Sequence, residues 1–121
     1  VKVINVKDAE KYEPDKGWVR ASTCHEAHVS VEYFTKPAGH SSPLHKHSEE
    51  QVCVVIRGRM KVLNAEGEQA FLEPGDAAYF ASNEPHSIEN ALDEESVGVD
   101  VFVPGRSFDF WLKRGQTIFK D

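Results

Sequence analysis

Apolar residues in this chain recur with a period of two, in short runs broken by turn residues about every ten positions. Val97, Val99, Val101 and Val103 alternate with Gly98, Asp100 and Phe102, and Val29, Val31 and Tyr33 alternate with His28, Ser30, Glu32 and Phe34. Successive side chains of a strand point to opposite faces, so such runs are half-buried strands. Residues 51–56 read Gln-Val-Cys-Val-Val-Ile, a β-branched run expected of a strand covered on both faces. Shorter candidates lie at 60–63, 70–72, 77–80 and 87–91. Between them fall Lys36-Pro37-Ala38-Gly39, Arg57-Gly58, Ala65-Glu66-Gly67, Glu73-Pro74-Gly75-Asp76 and Asn83-Glu84-Pro85. Many short strands with this punctuation predict an all-β sandwich or barrel. Residues 9–18 are expected as a short helical turn or arm, and residues 108–121 as a short tail.

A chain of 121 residues is about one domain and needs no disulfide staple. Its formal charge of −6 and lack of a basic run argue against nucleic acid as a partner. A single arginine in a pocket still binds a small anion in an acidic protein. Cys24 and Cys53 form no C-x-x-C pair, so a reduced, cytoplasmic protein is the expectation. No apolar stretch approaches the ~18 residues of a membrane helix, and Val1–Asp8 lacks the layout of a secretory signal.

The chemistry lies in histidine. His45-Lys46-His47 places two imidazoles on one face of an extended segment, and Gln51, four residues after His47, keeps that parity. Glu49 shares the face; Glu50 points away. His86, from a distant strand, would close the set as a fourth ligand. Imidazole suits Zn, Cu, Fe or Ni. His25, His28 and His40 read as surface or satisfied core residues.

Gly39, five residues, His45-Lys46-His47, three residues, Gln51, six residues and Gly58 resemble the first cupin motif, with glutamine where glutamate is usual. Gly75, Ala81, Asn83, His86 and Asn90 resemble the second, with Ala81 in place of proline and Asn83 in place of glycine. The resemblance implies a double-stranded β-helix, or jelly-roll, barrel. One cupin domain would span 1–121, with its core at about 27–104, an N-terminal arm at 1–18 and a C-terminal tail at 107–121. It also implies one divalent metal ion, Zn, Ni, Fe or Mn, on His45, His47, Gln51 and His86. Three imidazoles and an amide leave the +2 charge uncompensated, which favours Lewis-acid over redox chemistry.

Asp100-Val101-Phe102-Val103-Pro104-Gly105-Arg106 is similar to the end of the uronate-linearising cupins, the KdgF family. That resemblance assigns Asp100 and Arg106 to catalysis, and Phe102 and Arg106 to a small anionic substrate. The implied reaction opens 4,5-unsaturated monouronates to the linear 5-keto-4-deoxyuronate. Rival readings are a metal-dependent dioxygenase, a non-catalytic ligand sensor, and an isomerase or lyase of another small acid. Cys53 and Val55 are expected as core beneath the metal, with Tyr33 or Phe34 near the pocket. A homodimer is expected, with the outward valines covered and a strand at Val1–Val6 paired across a partner's sheet.

Overall fold

The computed structural model describes residues 1–114. Its strands are β1 (Lys11–Asp15), β2 (Trp18–His25), β3 (Ser30–Lys36), β4 (Glu50–Arg57), β5 (Met60–Asn64), β6 (Gln69–Leu72), β7 (Ala77–Phe80), β8 (His86–Asn90) and β9 (Ser96–Val103). A short helix, α1 (Phe110–Arg114), follows them. A six-stranded antiparallel sheet runs β1-β2-β3-β9-β4-β7, and a three-stranded sheet runs β6-β5-β8. Phe34, Cys53, Val55, Met60, Leu72 and Ile88 belong to one core cluster drawn from both sheets. Each such fully buried apolar side chain contributes about 1.5–3 kcal/mol. The jelly-roll reading of the alternation holds.

On β3 and β9 the buried face is the more polar one. On β3, Ser30, Glu32, Phe34 and Lys36 are buried, whereas Val31, Tyr33 and Thr35 are half-buried. On β9, Asp100 and Phe102 are buried, Val99 and Val101 half-buried, and Val103 exposed. The antiparallel register sets Glu32 beside Asp100 and Ser30 beside Phe102. On the other flank it sets Gln51 beside Phe102 and Cys53 beside Asp100. Because β9 lies between β3 and β4, the inward polar residues of three strands meet in one layer.

Two expectations for the ends need correction. Residues 9–18 carry β1 and the first residue of β2 rather than a helical turn. Pro14 is tolerated there because β1 is an edge strand, where a missing N–H breaks no ladder. Residues 1–5 form no strand within the chain and lead into a 3₁₀ turn at Val6–Asp8. The C-terminal stretch is more than a tail, because Phe108 and Trp111 are buried and α1 lies on the barrel. The rest of the expected tail, 115–121, falls outside the described residues. Both cysteines are free, Cys53 in the core. No helix among the described residues is long and apolar enough to cross a membrane.

Asn83 accounts for one departure from the second motif. Its φ is +61°, the left-handed region that glycine enters freely and asparagine tolerates better than most residues. Gly98 answers a different need. A Cβ there would lie 2.6 Å from Phe34 Cζ and 3.2 Å from Met60 Cε, so the core closes over β9 only without one. Gly98→Ala is expected to cost about 1–3 kcal/mol by overpacking. Urea unfolding checks this, and an unshifted midpoint would contradict the packing described.

Candidate metal centre

His45, His47 and His86 come together in the interior, offering nitrogens that all lie within 4.8 Å of one another. A reciprocal backbone pair makes this possible: His45 N donates to His86 O at 3.0 Å, and His86 N donates to His45 O at 2.9 Å. Two of the three rings are thereby set side by side, with centroids 4.4 Å apart. Asn83 N donates to His47 O at 2.8 Å, so the left-handed turn anchors the third. Phe80 stacks on His86 at 4.1 Å with the ring planes 8° apart.

The partners of each ring fix its tautomer. His45 Nδ1 donates to Pro43 O at 2.8 Å, His47 Nδ1 to Glu49 O at 2.9 Å and His86 Nδ1 to Glu84 O at 2.8 Å. A carbonyl only accepts, so the proton of each neutral ring sits on Nδ1 and Nε2 keeps a lone pair. Burial holds all three rings neutral by lowering their pKa values, that of His86 to about 4.

Gln51 supplies an oxygen to the same point. Its Oε1 lies 3.0 Å from both His47 Nε2 and His86 Nε2, while its Nε2 donates to Asp100 Oδ1 at 2.9 Å. Asp100 as a carboxylate can only accept, so the amide cannot reverse. Two ring lone pairs therefore face a carbonyl oxygen at close range without a proton between them, an arrangement that repels itself until a cation occupies the centre. The donor set fits a divalent ion such as Zn, Ni or Fe, and the backbone carbonyls behind each ring are the orienting outer contacts such sites use.

Behind the ligands runs a buried chain of charge. Arg20 Nη2 donates to Asp100 Oδ2 at 2.7 Å and Arg20 Nε to Glu32 Oε1 at 2.6 Å. Arg106 Nη2 donates to both oxygens of Glu32, at 3.1 and 3.3 Å. Although burial alone opposes its charge, Glu32 and Asp100 hold Arg20 firmly protonated. Arg106, expected at the substrate, is buried. Its N–H donates to Ser30 Oγ at 2.8 Å, and its guanidinium lies between Phe102 at 3.7 Å and Phe110 at 4.1 Å. Gly105 permits this seat, because a Cβ there would collide with the Glu26 carbonyl oxygen.

Among the described residues, Arg106 Nε and Trp18 Nε1 are buried donors without an acceptor. Both residues line a small cavity shared with Lys36, His45, Gln51 and Asp100. Its free space is about 10 Å³, room for roughly one water. Trp111 and Phe110 close the barrel above it, their rings 4.6 Å from His45 and 5.6 Å from His47.

All seven expected site residues thus lie in one buried region. Arg20, Glu32, Lys36 and the α1 aromatics were not singled out from sequence. Strand parity could have turned Glu32 and Lys36 inward together with Phe34. Nothing local could have turned α1 back onto the histidines.

The cupin domain family matches residues 32–102, more than half of the chain. The structure is similar to that of KdgF from Halomonas sp., with 26% identity, a TM-score of 0.78, and coverage of 88% of this chain and 96% of that one. An RmlC-like cupin from Shewanella frigidimarina NCIMB 400 gives 19% identity, a TM-score of 0.78 and coverage of 88% and 94%. The polyketide cyclase RemF from Streptomyces resistomycificus gives 18%, 0.73, 88% and 81%. No curated protein matches the chain in sequence.

Freeing the Gln51 amide should loosen the site. Asp100→Asn is expected to weaken divalent-metal affinity about 10–100-fold, the usual effect of losing an outer contact; titration against a competing chelator reads this, and unchanged affinity would show that Asp100 does not hold the ligand. The three lowered histidines also set the acid stability of the metal-free protein. The unfolded rings bind protons below about 6.5 while folded His86 resists to about 4. Their contribution is therefore complete above 6.5 and lost as pH falls through 4. Urea midpoints in chelator should fall across that window, and a flat profile would contradict it.

Proposed function

The chain belongs to the cupin domain family, and from that premise we propose that it is a metal-dependent enzyme that linearises 4,5-unsaturated monouronates to 5-keto-4-deoxyuronates. What carries this reading is the pairing of two features in one cavity: a neutral four-donor set converging on a point, and Arg106 beside it with Nε lacking an acceptor. The first suits electrophilic activation of an oxygen and the second a carboxylate. The likeness to KdgF, and the Asp-x-Phe-x-x-x-Arg spacing of residues 100–106, support the uronate as the acid.

A divalent ion on His45, His47, Gln51 and His86 supplies Lewis acidity at that point. The remaining work falls to the chain. Arg106 takes the substrate carboxylate through Nε, and Phe102 serves by keeping the guanidinium flat. Asp100 holds Gln51 in the oxygen-inward orientation and accepts the proton of the anomeric hydroxyl as the ring opens. Glu32, shared between Arg20 and Arg106, balances the guanidinium charge that would otherwise make the cavity costly to bury.

A cavity with room for one water cannot take a sugar ring, so the substrate enters only when α1 withdraws with Phe110 and Trp111. Its return excludes water from the reaction.

Metal-loaded protein mixed with unsaturated monouronates should accelerate loss of the ultraviolet absorbance of the conjugated double bond, and chelator should abolish this until metal is restored. Arg106→Ala should lower kcat/KM by about 10²-fold or more, the scale of a lost charged contact of about 3 kcal/mol. Absence of acceleration with every divalent metal, or consumption of oxygen during turnover, would overturn the proposal.

A further inference from the structure

Five charged side chains are buried in the barrel: Arg20, Glu32, Lys36, Asp100 and Arg106. Two guanidiniums and two carboxylates pair with one another. Lys36 makes no ion pair among the described residues. It is 1% exposed, and its Nζ sits 4.1 Å from the centre of the Trp18 ring. It also lines the cavity that holds His45, Gln51 and Asp100. A lysine is almost never buried without a counter-charge unless it has a task.

The reaction proposed above leaves such a task open. Ring opening breaks the bond between C1 and the ring oxygen. The anomeric hydroxyl gives its proton to Asp100, C1 becomes an aldehyde, and the bonding pair passes to the ring oxygen. The resulting enolate becomes a ketone at C5 only when C4 receives a proton. Asp100 already accepts from Gln51 and Arg20 and serves here as the base that takes the anomeric proton. The guanidiniums of Arg20 and Arg106 keep their protons. The N–H of His45 is committed to Pro43 O. Among the titratable groups lining the cavity, the Lys36 ammonium is the one that holds a transferable proton before the ring opens.

Resting on the uronate reading, we propose that Lys36 is the general acid of this site, delivering a proton from Nζ to C4 of the opened substrate. The neutral amine left behind recovers a proton from Asp100, so the sequence is a net isomerisation without a co-reactant.

The surroundings poise Lys36 for this exchange. Burial lowers its pKa most and Arg20 lowers it further, while Asp100, Cys53 and Asp15 pull the other way, leaving it at about 7. Of these, Arg20 comes from β2 with Trp18, Cys53 from β4, Asp100 from β9 and Asp15 from the end of β1. His40, in the loop after β3, is itself lowered by burial and then by Lys36. The Cys53 thiol is held protonated by burial, well above its ordinary range. A proton donor works best when its pKa lies near the working pH.

Lys36→Met keeps the length of the side chain and removes a buried charge, so the barrel tolerates it; Lys36→Arg keeps the charge but holds its proton. Metal-loaded wild type should lose kcat/KM as pH rises through about 7. Both variants should be slower by ~10²-fold or more and should lack that limb. In heavy water, the wild type should place deuterium on one face of C4 and Lys36→Met on both. Independently of turnover, the Cε resonance of isotope-labelled Lys36 should titrate near neutrality, not at the ordinary lysine value of about 10.4. Wild-type rate, an intact high-pH limb or one-face labelling in Lys36→Met would overturn the assignment while leaving the uronate reading standing. A wild-type protein that converts no unsaturated uronate would overturn both.

Discussion

Asp100 can only accept hydrogen bonds, and much of the interior follows from that. It takes the Gln51 amide nitrogen on one oxygen and Arg20 on the other. The amide oxygen is thereby pinned towards His47 and His86, and a side chain that could point either way becomes a one-sided donor. Without that acceptor beneath it, Gln51 could turn its N–H groups to the imidazoles and satisfy them directly. The site would then be a closed hydrogen-bond cluster rather than a set of lone pairs awaiting a cation. A carboxylate in an apolar strand is costly, and here its cost is offset by Arg20 and expressed as orientation.

The same carboxylate opens a chain of alternating charge that ends at Arg106. Each link is buried, so removing one partner would strand the next, a loss of about 3–5 kcal/mol. This rigid polar layer lies in the interior of the barrel, while the half-buried valines of β9 and β3 occupy its outside. Gln51, His86, Asp100 and Phe102 are carried on strands, which hold geometry better than loops, with His45, His47 and Arg106 in the segments beside them. The mouth is treated differently. A five-residue helix closes it through Phe110 and Trp111, and a segment so short owes its place to packing rather than to helix propensity. Rigid walls and a cover that is weaker than they are suit a site that must admit a ligand and then exclude water.

Legibility differed from residue to residue. His45, His47 and Gln51 were read through parity and motif spacing, and they converge although bends at Ser48 and Glu49 interrupt the strand between them. His86 was found through its spacing from Gly75 and Asn83, and Asn83 shows why a departure from that pattern is harmless, since the turn needs a positive φ rather than glycine itself. That Asp100 and Phe102 share a face followed from the valines between them, but its inward turn did not, since the alternation alone would bury the valines. By contrast, residues 9–18 read as a turn because Pro14 and Asp15-Lys16-Gly17 break the apolar period, although an edge strand accepts both. Val1–Val6 has strand-like composition, but residues 1–5 form no strand within the chain.

Taken alone, the order of residues determined the all-β barrel, the positions that share a strand face and the types of donor available to a metal. These depend on local periodicity and turn geometry, which act over a few residues and leave a mark in any window of the chain. The tertiary structure decided which inward residues meet. Arg20 finds Asp100 across 80 positions and Arg106 finds Glu32 across 74, because β3 lies between β2 and β9. Lys36 is left without a counter-charge for the same reason. Partnership between distant strands is set by the order in which they assemble into a sheet, and α1 reaches the histidines only once that sheet has closed into a barrel.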